Sequence, residues 1–395
     1  MLRRGRALNI VAAMSALTLA ACSSPSDRAA TPPASVTRSL KSVAPHTASA
    51  APIEGTVLGS SAAGVYENTT RGRLSPFLAG LVPRVYVPNE GSGDVVVIDP
   101  GTFKIVGRFG VGSSPEHVTP EWDLRLLYVN DMGSNALTVI DPQTRRPVRS
   151  IRIPTPYNLY FTPDGSKAIV VEDSSTSGDG SKNGLRFYDR ATWKFLRFVS
   201  VPFPGADHLD FTADGRYLFL SCEYSGEVER VDTRTMKVSG AIHVGGLPID
   251  VRLAPSGDLF YVANQGSGGV SIIDPLAMKV IGFIRTGRGA HGLPLSRDAT
   301  RLYVSNRLAG TVSVISFAAR QVVATWKVGG TPDMMAVSPD GRQLWFSNRY
   351  SGTVSVVDTR SGRVLHVIRT GEGPHGLSFW PQPGEFSLGH NGNMR

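Results

Sequence analysis

Gln343-Leu344-Trp345-Phe346-Ser347-Asn348 and, after Arg349-Tyr350-Ser351-Gly352, Thr353-Val354-Ser355-Val356-Val357-Asp358 decide the fold. Both runs have strand length, and the alternation in the second suits a half-buried strand. A Pro-x-x-apolar segment, Pro332-Asp333-Met334-Met335, precedes them and leads into the turn Ser338-Pro339-Asp340-Gly341. In that turn proline presets φ and glycine supplies a conformation that other residues resist. The preceding copy adds a further run, Val322-Val323-Ala324-Thr325-Trp326-Lys327-Val328-Gly329. The unit is four short strands joined by tight turns.

Working outward, the first run recurs as Arg84-Val85-Tyr86-Val87-Pro88-Asn89, Leu126-Leu127-Tyr128-Val129-Asn130, Leu259-Phe260-Tyr261-Val262-Ala263-Asn264 and Arg301-Leu302-Tyr303-Val304-Ser305-Asn306, with degenerate copies at 168–172 and 217–222. The second run closes on Asp99, Asp141, Asp189, Asp232, Asp274 and Asp358, with Ser316 in the Asp place of the sixth copy. The aspartates are expected to cap turns. Asn89, Asn130, Asn264, Asn306 and Asn348 are expected to form turns through left-handed backbone.

The Pro-x-x-apolar segments start at Pro115, Pro156, Ala206, Pro248, Ala290, Pro332 and Pro374, at intervals of 41, 50, 42, 42, 42 and 42 residues. The long interval holds a polar insertion, Asp173 to Asn183. A period near 42 with four strands per unit predicts an all-β, seven-bladed β-propeller of four-stranded antiparallel blades. The Pro-x-x-apolar run, short and rich in small and polar residues, reads as the innermost strand. The chain enters on a second strand at Arg84 and leaves on an innermost one, Pro374-His375-Gly376-Leu377-Ser378-Phe379. The last strand is therefore expected to join the first ones in a composite N-/C-terminal blade, which closes the ring and protects its edges.

Tyr-Val-x-Asn, Gly-x-Val-x-Val-Ile-Asp, Val-Gly-x-x-Pro and Ser-Pro-Asp-Gly, in that order, resemble the YVTN-family β-propeller repeat from Arg84 to about Phe379. The resemblance is specific for the fold and weak for function, because propellers host many activities. YVTN propellers look similar to lactonase propellers and to the haem-binding propeller of cytochrome d1, both of which use side chains at the channel mouth. That resemblance implies ligand or general-base roles for His117, His208, His291 and His375, oriented by Asp207, Asp250 and Asp333.

Composition agrees with strands and turns: 18% charged residues, 43 glycines and 27 prolines. Arg3, Arg4 and Arg6 precede a short apolar run ending in Leu19-Ala20-Ala21-Cys22, which reads as a cleaved export signal over residues 1–21. Leu-Ala-Ala-Cys also resembles the lipobox of bacterial lipoproteins, which implies lipidation of Cys22 and a membrane anchor on the periplasmic side, in the outer membrane of a Gram-negative host. Residues 22–54, rich in Ser, Pro and Ala, read as a tether, 55–83 as a lead-in, and 84–395 as the propeller. With Cys22 acylated, Cys222 has no disulfide partner and is expected to be a buried, inert thiol. Cleavage removes three arginines from a formal charge of +9, leaving +6. That excess is spread through the repeats, so nucleic acid is an unfavoured partner.

The two positions after each innermost-strand start are Glu116-His117, Tyr157-Asn158, Asp207-His208, Ile249-Asp250, His291-Gly292, Asp333-Met334 and His375-Gly376. Histidines and acids thus converge on one ring, the raw material of a polar-ligand site. Imidazole with carboxylate suits a transition metal, and carboxylate with carbonyl suits Ca or Mg. The loops after the Asn positions add Glu90, Asp131, Asp173, Glu223, Gln265, Arg307 and Arg349 on the same face. There Arg307 and Arg349 are placed to orient a small anionic ligand. Gly-x-Ser-x-Gly, P-loop and Cys-x-x-Cys-His signatures are missing from the sequence, so no catalytic residue is assigned. The leading reading is a non-enzymatic ligand- or protein-binding propeller, most simply a monomer, displayed outside a bacterial membrane. The alternatives are a metal- or cofactor-dependent enzyme at the channel mouth and a polyanion binder.

Overall fold

The computed structural model describes residues 64–173 and 182–395. The expected signal, Cys22, the tether, the start of the lead-in and most of the 173–183 insertion lie outside the described residues. Among those described, seven antiparallel sheets follow one another in chain order. A representative blade runs from the inner strand Pro332–Val337 through Gln343–Asn348 and Thr353–Asp358 to the outer strand Val364–Arg369. The protein is a seven-bladed, all-β propeller. Its first blade is composite: Ser378–Trp380 pairs with Arg84–Asn89, Val85 opposite Phe379.

The burial gradient follows the sequence pattern. Inner strands such as Ala206–Phe211 and Pro248–Leu253 are buried throughout. Outer strands such as Gln321–Lys327 alternate exposed residues with half-buried or buried ones. The apolar core is divided into seven clusters, one in each cleft between neighbouring blades. The cleft at the closure packs Val85, Val87, Val96 and Leu377 against Trp345 and Val354, so the first and seventh blades meet as an ordinary blade interface. Cys222 lies in another such cluster, and burial pushes its thiol well above the usual range.

The turn chemistry holds for the aspartates and is corrected for the asparagines. Asp99 Oδ1 accepts from the N–H groups of Gly101 (2.9 Å) and Thr102 (3.0 Å), and Asp274 Oδ1 does the same for Leu276 and Ala277. The asparagines are not left-handed; Asn348 has φ −109°. Its amide instead donates to Thr353 Oγ1 and Ser355 Oγ, holding the next strand in register. The positive φ falls four residues later, on Gly93, Gly268, Gly310 and Gly352. Glycine is needed there, since a Cβ on Gly352 would lie 2.7 Å from the Gly371 carbonyl oxygen.

Two departures shape the channel. In the second blade Pro115 faces Asp131 and Val118 faces Val129, so Glu116 and His117 together oppose one residue, Asn130. The same one-residue bulge recurs in the fourth, fifth and seventh blades, and it re-aims the paired side chains toward the axis. In the sixth blade the expected inner strand is reduced to bridges at Ala290–Asn306 and Leu295–Leu302, leaving a three-stranded sheet. Pro294 there has no N–H to donate to a ladder.

One buried carboxylate gives a pH prediction. Glu229, fully buried in Glu227–Asp232, has no hydrogen-bond partner on either oxygen. Burial, then Glu227, push its pKa from 4.5 to about 7. The folded chain then holds a proton that the unfolded chain releases, so this group's contribution to stability falls as pH rises from about 4.5 through about 7. Glu229→Gln is expected to melt a few degrees above the parent near pH 8.5 and level with it near pH 5, read from melting temperature against pH.

Candidate functional site

The bulged starts of the inner strands and the loops after the second strands do meet on one face. There they assemble two clusters, built around arginines 42 residues apart in sequence. Arg307 Nη2 donates to Asp333 Oδ1 at 2.6 Å and contacts His291 Nε2, while His291 Nδ1 lies 3.1 Å from the same Asp333 oxygen. Arg349 donates to Glu90 Oε2 from Nη2 (2.6 Å) and to His375 Nε2 from Nη1 (3.1 Å). His375 Nδ1 is 2.8 Å from Glu116 Oε2. Both guanidiniums are thus matched by carboxylates of the protein, and His375 is hydrogen-bonded at both nitrogens. Burial depresses the pKa of His291 and His375, and the arginines beside them depress it further. Neutral imidazole is therefore the form that accepts from arginine.

His117 and His208 lie beside these clusters, the His117 ring 4.6 Å from that of His375. Their rings lie 5.4 Å apart and both are completely buried. Nε2 of each has no hydrogen-bond partner. His208 Nδ1 is 2.6 Å from Asp207 Oδ1. Burial pulls the His208 pKa down, but Asp207 outweighs it and the net shift is upward. Asp250 turns away from the mouth: Oδ2 accepts from the Leu293 N–H at 2.8 Å and sits 3.6 Å from Arg252. Glu116, buried and flanked by other acids, is pushed up to about 8 by burial despite Arg349.

The sequence reading missed the residues that close the channel. After Trp380 the chain enters the ring from the face where the inner strands end. Phe161 N–H donates to the Leu388 carbonyl, and His390 N–H donates to the Leu159 carbonyl. Arg395 Nη2 donates to Asp210 Oδ1 at 2.9 Å. The lead-in seals the same face: Tyr66 donates to the Leu253 carbonyl at 2.8 Å and lies under the Arg395 guanidinium at 4.3 Å. The tail carries His390 to within 4.9 Å of the His117 ring and 4.6 Å of the His208 ring. The available signal was the run Gly389-His390-Asn391-Gly392, whose two glycines and His390 all have positive φ. A cavity of about 60 Å³ remains beside the tail, lined by Asp250, Arg252, Met334, His390 and Asn391 among others. It is large enough for water or an ion and far too small for a haem or a sugar lactone.

A family model described as a YNCE-like beta-propeller matches residues 70–382. The chain belongs to that family. No curated protein sequence matches it significantly. Among solved structures, the YNCE-like propeller is similar to the Pseudomonas aeruginosa periplasmic gluconolactonase PpgL, with 21% identity, TM-score 0.64, and 76% of this chain and 99% of that one covered. It is similar to Kuenenia stuttgartiensis hydrazine synthase at 20% identity and TM-score 0.61, covering 78% and 99%. It also resembles the dihydro-heme d1 dehydrogenase NirN at 16% identity and TM-score 0.57, covering 81% and 82%. At these identities the likeness shows the shared propeller fold alone.

Proposed function

We propose that this YNCE-like propeller is a non-catalytic binding module, anchored through Cys22 outside a bacterial membrane, that engages a protein partner with the face carrying Arg307 and Arg349. One observation carries the reading. At the same repeat position, next to Glu223, Arg307 and Arg349, the chain exposes Tyr224, Leu308 and Tyr350 at 48%, 60% and 68%. Single exposed apolar residues mean little, but a recurrence on one face beside arginines has the composition of an interface centre. Arg307 lies over the Tyr350 ring at 5.8 Å. The opposite face is occupied by the lead-in and tail.

The test is site-specific photo-crosslinking in intact cells. A photoreactive residue at Leu308 is expected to give one discrete adduct that Tyr350→Asp abolishes. The same residue at the outer-strand position Val106 should give none. No adduct from Leu308, or the same pattern from Val106, overturns the reading. Cys22→Ala should move the protein from the membrane to the soluble fraction.

A further inference from the structure

We propose that His117, His208 and His390 form a binding site for one divalent transition-metal ion, and that the C-terminal tail completes it. The site does not depend on the protein-binding reading. The three histidines come from the second blade, the fourth blade and the tail, and each is at most 3% exposed. One ligand nitrogen from each lies within 4.8 Å of the other two. Three nitrogens about 2.1 Å from a tetrahedral ion stand about 3.4 Å from one another. Small ring rotations close the difference.

The surroundings of His117 and His390 specify which nitrogen each offers. His117 Nδ1 is 2.9 Å from Asn391 Oδ1, His390 Nδ1 is 3.2 Å from Asn158 Oδ1, and His208 Nδ1 is 2.6 Å from Asp207 Oδ1. For His117 and His390 the oxygen facing Nδ1 fixes the N–H there and leaves the Nε2 lone pair free, which is how oxygen partners orient metal-binding imidazoles, while neither His208 nitrogen has a hydrogen-bond partner in the protein. Nε2 of His117 and of His208 has no protein partner. A purely structural polar core would leave these buried nitrogens unsatisfied, at a cost that proteins rarely carry without reason. His375 serves as internal comparison: Arg349 and Glu116 occupy its two nitrogens, and it does not belong to the triad. Three imidazoles with Asp207 at hand suit Zn²⁺, Co²⁺ or Cu²⁺ rather than Ca²⁺ or Mg²⁺. With three protein ligands the fourth position is left for water, the coordination number of a non-structural site.

The experiment uses the full mature chain, stripped with chelator and titrated with Co²⁺, followed by Zn²⁺ competition. One equivalent is expected to bind with the intense visible absorption of four- or five-coordinate Co²⁺, and Zn²⁺ should displace it. His390→Ala and His117→Ala should weaken binding at least about 100-fold, and Asn391→Ala about 10-fold through loss of orientation. His243→Ala and His366→Ala, on exposed histidines away from the channel, should change nothing. The melting transition of each variant shows whether it has folded. Should His390→Ala fail to fold, the wild-type spectrum decides alone. Failure to bind, a weak octahedral spectrum, or binding that survives loss of both His117 and His390 overturns the site.

Discussion

Deleting residues 374–395 is expected to lower the melting temperature by more than about 15 °C, or to abolish the cooperative transition. The segment supplies the inner strand of the first blade, and with it Leu377 and Phe379, both fully buried, and Trp380, 3% exposed. Truncating one buried aromatic residue costs about 3–5 kcal/mol, and whole domains are stable by about 5–15 kcal/mol. The loss also strips Arg84–Asn89 of its partner strand. A bare edge is then left beside a cleft holding Trp345, an aggregation-prone arrangement. Scanning calorimetry of the truncated and full-length chains decides the matter. A truncate that melts like the parent would mean that the ring does not depend on its composite blade.

Asp210→Ala is expected to cost about 3–5 kcal/mol, because it removes one partner of a buried ion pair and leaves the other charge in place. Asp210 is fully buried, and its Oδ1 accepts from Phe211 N–H (2.8 Å) and Arg395 Nη2 (2.9 Å). Oδ2 accepts from Leu253 N–H at 2.9 Å. The variant strands two backbone donors as well as the Arg395 guanidinium, beside Arg252. In a domain of this size the expected drop is on the order of 10 °C. Asp210→Asn, which keeps acceptor capacity but not charge, should fall in between. A change below about 1 kcal/mol would show that the tail is not held by this contact.

The ring was legible in the sequence for a physical reason. Every blade buries the same faces against its neighbours, so each constraint is written seven times, and a lapse such as Ser316 for Asp is outvoted by the other copies. The closure was legible too, since a chain that starts on a second strand and ends on an inner one has one way to complete its ladder. What occurs once was not legible. The tail has no repeat partner and no hydrophobic period, and its place depends on contacts such as Arg395 to Asp210, 185 residues away. The mouth residues were found by register, but their partners were not. The sequence placed Arg307 and Arg349 near His291 and His375 without indicating that Asp333, Glu90 and Glu116 would pair with them. The asparagine reading failed because residue type alone does not distinguish a side chain that bonds across a turn from one that adopts its backbone.

The most direct test of the account is anomalous diffraction from crystals of the mature protein grown with Zn²⁺ or Co²⁺, recorded at the metal edge. The expected result is one channel peak about 2.0–2.1 Å from Nε2 of His117, His208 and His390, with residues 384–395 threaded through the ring beneath it. A map without a peak there, a peak on His291 or His375, or a tail lying outside the channel would contradict it.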